Sequence, residues 1–123
     1  MEDKRIAVTS SGTDLNSEMD PRFGRAAYFI IADPETMQYE VVENRQNLDL
    51  PQGAGIQAGK TIVESGAAVL ITGFCGPKAY KVLESAGIQT ITGAKGKVGD
   101  VLSEYKSGKF TKADDPNVEG HWV

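Results

Sequence analysis

The chain has 123 residues and a mass of 13.2 kDa, which suits one domain large enough to bury a core unaided. Its 17 Asp and Glu against 13 Lys and Arg leave a formal net charge of −4, the wrong sign for a general nucleic-acid binder that neutralises phosphates with clustered cations. The single cysteine excludes an intrachain disulfide and an all-cysteine zinc or iron–sulfur site within one monomer.

The amino terminus, Met1-Glu2-Asp3-Lys4-Arg5, is charged and does not read as a signal peptide. No stretch approaches the roughly 20 apolar residues of a membrane span, so the expectation is a cytoplasmic protein with no membrane partner. Arg5-Ile6-Ala7-Val8-Thr9 is a compact apolar strand, and Ser10 to Asp14 is turn chemistry. The loop runs on through Asp20-Pro21-Arg22-Phe23-Gly24-Arg25, and a loop of that length in a small domain is usually functional or mobile. Ala26 to Ile31 is apolar on both faces and reads as an interior strand. Asp33-Pro34-Glu35-Thr36 turns it into a half-wet edge strand over Met37 to Glu43, with Gln38, Glu40 and Val42 on one face.

After a polar, turn-rich stretch ending in Gly53-Ala54-Gly55, a helix is expected over about Ile56 to Ser65. Its stripe of Gly55, Ala58, Gly59 and Ile62 would let it approach the sheet closely. Ala68 to Ile71 is a buried strand, Thr72-Gly73-Phe74-Cys75-Gly76 a tight loop, and Pro77 the first residue of a helix with apolar positions at Ala79, Val82, Leu83 and Ala86. Ile88 to Thr92 forms the last strand. Val98, Val101, Leu102 and Tyr105 then repeat at helical spacing up to Gly108. Residues 1–108 read as the domain and 109–123 as a polar tail containing His121 and Trp122. An antiparallel start followed by two β–α units implies an α/β fold with a mixed sheet and helices on both faces.

The loop from Gly73 to Lys78 lies at the carboxyl end of a strand and the amino end of a helix, where free N–H groups and the helix dipole favour an anion. Cys75 sits in this loop. Its functional reading is a thiolate stabilised by the dipole, a soft ligand for copper, iron or molybdenum–sulfur species; its bland reading is a small hydrophobe under the loop. His121 could supply a further ligand. No Walker loop, nucleophile elbow or His/Cys/Asp cluster of metal-site spacing occurs.

Three stretches taken together, Asp20-Pro21-Arg22-Phe23-Gly24-Arg25-Ala26 with Tyr28-Phe29, Gly53-Ala54-Gly55-Ile56-Gln57-Ala58, and Ile71-Thr72-Gly73 through Gly76-Pro77-Lys78-Ala79, closely resemble the dinitrogenase iron–molybdenum cofactor biosynthesis family. The resemblance covers about Ile6 to Gly108. It implies a ribonuclease H-like three-layer fold with a five-stranded mixed sheet, and non-catalytic binding of an anionic metal–sulfur cluster, either iron–molybdenum cofactor or a molybdenum–copper sulfide. By position it implies Arg22, Arg25, Gly53, Gly55, Gly73, Gly76 and Lys78 as cofactor-binding residues, to which the chemistry of the chain adds Cys75 and His121. The implied partners are metallocluster assembly proteins, with the chain a monomer or weak homodimer. Two rival expectations stand beside it. One is a cofactor-free interaction module using the first loop and the aromatic residues Phe110 and Trp122 of the tail. The other is a metal-dependent nuclease of the same fold class, which would need carboxylates where the first strand offers Ala7 and Thr9.

Overall fold

The computed structural model describes residues 5–44, 53–108 and 110. Five strands form one sheet in the order β3-β2-β1-β4-β5, from β1 (Ile6–Ser10), β2 (Tyr28–Ala32), β3 (Tyr39–Glu43), β4 (Val69–Ile71) and β5 (Gln89–Ile91). β2 runs antiparallel to both β1 and β3, whereas β4 is parallel to β1 and to β5. Three helices complete the domain: α1 (Ala54–Ser65), α2 (Pro77–Ser85) and α3 (Val98–Lys106). This is the mixed-sheet, ribonuclease H-like α/β fold that the sequence implied.

Every residue of β1 is buried, as its lack of polar alternation requires of a strand with neighbours on both sides and helices on both faces. Alternation then divides the sheet residues between two cores. Ala7, Phe29, Ile31 and Leu70 face α1 and α2 and meet Ala58, Ile62, Ala79 and Leu83. Ile6, Val8, Ile30, Val69, Ile71 and Ile91 face α3 and meet Val98, Val101 and Leu102. β3 is the wet edge: Tyr39, Glu40, Val41 and Glu43 are exposed, and Val42 packs on the core beneath α1 and α2.

Two local expectations change. The edge strand begins at Tyr39, because Met37 takes a left-handed backbone (φ 65°) and the turn closes from the Asp33 N–H to the Gln38 carbonyl at 2.9 Å. The glycines of the α1 stripe serve helix packing rather than the sheet. A Cβ on Gly55 would lie 3.3 Å from Ala79 Cβ, and one on Gly59 would lie 3.1 Å from Val82 Cγ1, both on α2. Ala58 and Ile62 of the stripe do reach the sheet core.

On β5 the Thr90 hydroxyl is buried with no hydrogen-bond partner among the described residues, and a buried unpaired hydroxyl costs about 1–3 kcal/mol. Thr90→Val keeps the shape and removes the orphan group. It is expected to raise the thermal midpoint by roughly 3–5 °C, at about 1 kcal/mol of gain. An unchanged or lowered midpoint would mean that the hydroxyl finds a partner in solution.

Candidate functional site

The parallel strands β1, β4 and β5 end at one edge of the sheet, and α2 and α3 begin there because each follows one of those strands. α1 begins at the same edge, since it leads into the opposite end of β4 and lies against α2. In open α/β sheets this carboxyl edge, beside the point where chain connections leave in opposite directions, is where ligands bind. Here β1 continues toward β2 on one side while β4 lies on the other.

The long loop after β1 crosses this edge and is tied to both neighbouring loops. The Asp20 N–H donates to the Thr9 carbonyl (3.0 Å), and the Met19 N–H donates to Gly96 (2.7 Å) in the loop before α3. Arg22 forms a parallel bridge with Phe74: the Phe74 N–H donates to Pro21 (2.7 Å) and the Phe23 N–H to Phe74 (3.1 Å). The Gly93 N–H donates to Gly73 (2.9 Å), so the loops after β1, β4 and β5 form one hydrogen-bonded surface.

The bridge carries the chain into a 3₁₀ turn, Phe23–Arg25, whose Phe23 stacks on Phe29 in the core with ring centroids 5.5 Å apart. That anchor presses the turn onto the start of α1: a Cβ on Gly24 would lie 3.1 Å from the backbone N and Cα of Gly55. Gly55 in turn touches Ala79 in the first turn of α2. The Arg22–Arg25 segment, the start of α1 and the start of α2 therefore meet, and the three sequence motifs become one place.

Among the described residues neither helix start has a side-chain cap. Neither Gly53 before α1 nor Gly76 before α2 offers a side chain to cap the first N–H groups, and neither first turn holds an acidic residue. α3 differs, with Asp100 in its first turn. The first N–H groups of a helix have no partner within the helix, and the dipoles of α1 and α2 bring two positive ends together at this junction.

The glycines here have separate causes. Gly53 has φ +85°, a left-handed conformation in which a Cβ is strained. Gly73 has no room, since a Cβ would lie 2.8 Å from both Cα and O of Pro21. Gly76 is under neither constraint: its φ is −69°, and a Cβ would meet open space. What its missing side chain leaves is unobstructed access to the start of α2.

Among the expected cationic residues, Arg22 is exposed and bends back toward Asp20, its Nε 3.4 Å from Oδ1. Arg25 is half-buried in the 3₁₀ turn and Lys78 is exposed in the first turn of α2. Cys75 belongs to the core beneath α1 and α2, with only 7% of its surface exposed and Sγ 3.7 Å from the Gly76 carbonyl. Burial pushes its thiol up to about 11, the opposite direction to the one expected from a helix start favouring the thiolate. This burial agrees with the bland reading of a small hydrophobe, and His121 lies outside the described residues. Because the native thiol ionises later than the unfolded one, which titrates near ~8.5, the native state loses stability as pH rises from there toward about 11. Denaturation midpoints of wild type and Cys75→Ala are therefore expected to diverge across that range, wild type falling further; parallel curves would place the thiol in water.

Sequence reading missed three elements of the edge. The Asp20 carboxylate, 9% exposed, accepts the Arg22 N–H at 2.9 Å in a side-chain-to-backbone turn that the order Asp-Pro-Arg could have signalled. Thr9 donates from its hydroxyl to the Asp20 carbonyl (2.6 Å) and lies 3.0 Å from the Thr72 hydroxyl, a buried pair that looks like ordinary strand sequence. Asn44, fully buried after β3, donates from Nδ2 to Ala26 (2.8 Å) and so fixes the chain beyond the 3₁₀ turn.

Two clefts lie elsewhere. One of about 500 Å³, lined by Arg5, Asp33, Gln38, Tyr39 and Glu40, sits at the opposite edge of the sheet. The other, of about 310 Å³, is a groove between α1 and α2 that includes Val63 and Val82. No helix among the described residues is long and apolar enough to cross a membrane.

The fold and this edge define a ribonuclease H-like α/β domain in which α1 and α2 begin side by side at the carboxyl edge of the sheet. Residues 4–108 match the model of the dinitrogenase iron–molybdenum cofactor family, and the chain belongs to that family. The apo form of the orange protein from Desulfovibrio gigas is similar in structure, with a TM-score of 0.88 and 42% identity over 94% of this chain and 98% of that one. A Thermotoga protein proposed to be NifB, solved by NMR, is similar with a TM-score of 0.78 and 32% identity over 95% of this chain and 99% of that one. No functionally curated protein matches the chain.

Proposed function

We propose that the protein binds and carries an anionic metal–sulfur cluster, of the iron–molybdenum cofactor or thiomolybdate type, without catalysing a reaction. In this reading it is a cytoplasmic monomer or weak homodimer that exchanges its cargo with metallocluster assembly proteins. The observation that carries the reading is the α1–α2 junction: two uncapped helix starts in contact, free of acidic first-turn residues, with Arg22 and Arg25 on the turn above and Lys78 beside it. A multiply charged anion gains from such N–H donors and from charge-assisted hydrogen bonds to Arg and Lys. Gly76 supports the reading further, because neither its backbone nor its packing requires glycine while a closely approaching ligand would. Family membership and the likeness to the orange protein point to the same class of cargo.

The rival readings find less support. Ala7 and Thr9 are buried on β1 where a two-metal nuclease would need carboxylates. Phe110 packs against the α3-side core instead of standing ready for a partner, and Trp122 lies outside the described residues. Anaerobic mixing with tetrathiomolybdate, then gel filtration with absorbance and molybdenum analysis of the protein fraction, tests the proposal. Metal co-eluting in a fixed ratio is expected; a metal-free protein fraction would refute it.

A further inference from the structure

The most exposed large apolar side chain among the described residues, Phe74 at 67%, stands on the same loop as the proposed anion site. It is not there by looseness. Its N–H and carbonyl are both bonded to the loop after β1, at 2.7 and 3.1 Å, and Gly73 before it is packed against Pro21. Phe23 and Cys75, the next residues along the two bridged segments, enter the core, while the bridge partners Arg22 and Phe74 are both exposed. The backbone thus presents a phenyl ring and a guanidinium as neighbours at the rim of the site. Folding gains little from an aromatic ring left two-thirds in water, so the residue type at position 74 is not explained by the core.

We infer that Phe74 is a specificity-determining residue that selects a sulfide-rich anion over an oxyanion; the inference rests on the anion-binding reading above. Arg22, Lys78 and the helix starts attract any anion. An apolar wall beside them acts differently on the two kinds. It displaces hydration that phosphate or molybdate needs and cannot replace with a hydrogen bond, a cost the larger, softer and more weakly hydrated thioanion largely escapes. Sulfur also makes favourable contacts with aromatic rings, which oxygen in these anions does not offer. Exposed Pro21 and Pro77, lacking N–H donors, add to the apolar character of the rim.

Calorimetric titrations with tetrathiomolybdate, molybdate and inorganic phosphate, run anaerobically on wild type, Phe74→Ser and Phe74→Leu, test the inference. Phe74→Ser is expected to weaken tetrathiomolybdate about tenfold with the oxyanions unchanged, and Phe74→Leu to recover much of the loss. The ring's exposure makes unchanged thermal midpoints the expectation for both variants. If wild type binds tetrathiomolybdate and the serine variant matches it, or loses all three anions equally, the selectivity role is overturned while the anion site stands. If wild type holds none of the three, the anion-binding reading falls and this inference with it.

Discussion

Replacing Arg22 and Lys78 together by alanine is expected to weaken tetrathiomolybdate binding about a hundredfold, with the fold unaffected. Hydrogen bonds to charged groups contribute about 1.5–3 kcal/mol each, and solvent screening at an exposed site brings each toward the lower bound, near the ~1.4 kcal/mol of a tenfold change. Arg22 has 65% of its side chain exposed, and its ion pair with Asp20 is long at 3.4 Å, so its loss costs little stability. Lys78 is exposed on the first turn of α2. Anaerobic titration at low and high salt is the measurement: the difference between wild type and variant should shrink as salt rises, because the lost interactions are charge interactions near water. Equal affinities at low salt would remove these two side chains from the site.

Gly73→Ala should produce a large loss of stability for the addition of a single methyl group at the carboxyl edge. The new Cβ would lie 2.8 Å from Cα and O of Pro21, which are backbone atoms and cannot turn aside like the end of a side chain. Pro21 is itself held, because its carbonyl accepts the Phe74 N–H at 2.7 Å. Relief requires separating the loop after β1 from the loop after β4, and overpacking of this kind costs typically 1–3 kcal/mol. A fall in thermal midpoint of roughly 8–12 °C follows if the cost is about 2–3 kcal/mol. Anion affinity should fall as well, since the same bridge carries Arg22. Gly76→Ala is the control: with φ −69° and open space before it, it should leave the midpoint within about 2 °C while weakening tetrathiomolybdate. A stable Gly73→Ala protein would mean that the two loops part readily.

Much of this fold is legible in residue patterns because one rule governs each element. Ile6 to Val8 lacks polar residues on either face, which only the centre of a covered sheet tolerates, and that is where β1 lies. Val98, Val101 and Leu102 mark α3 by spacing alone, and all three are buried. The start of β3 was less legible, because the left-handed backbone at Met37 is set by closure of the turn and carries no glycine to announce it.

At the site, the positions of the motifs were legible and their contacts were not. Pro77 after Gly76 announced the start of α2, and both residues hold the expected places. Nothing in one dimension indicated that Gly24 would rest on Gly55 and Gly55 on Ala79, since close approach of two backbones leaves only a small residue behind. Cys75 shows the opposite limit. Its position beside a helix start suggested a reactive thiolate, but burial is a three-dimensional property, and here it dominates the ionisation. The contacts of Asp20, Thr9 and Thr72 were not legible because polar residues near strand ends usually face water, whereas these are buried and hydrogen-bonded to one another's chain segments.

The central claim is a place: the starts of α1 and α2 beneath the Arg22–Arg25 turn. Backbone amide NMR of the full chain, titrated anaerobically with tetrathiomolybdate, reads that place directly. The amides of Gly53 to Ile56, Gly76, Lys78 and Arg22 to Arg25 should shift together and saturate with one affinity, while those around the cleft of Arg5, Asp33 and Glu40 stay still. Shifts centred on that opposite edge, with the helix starts silent, would contradict the account.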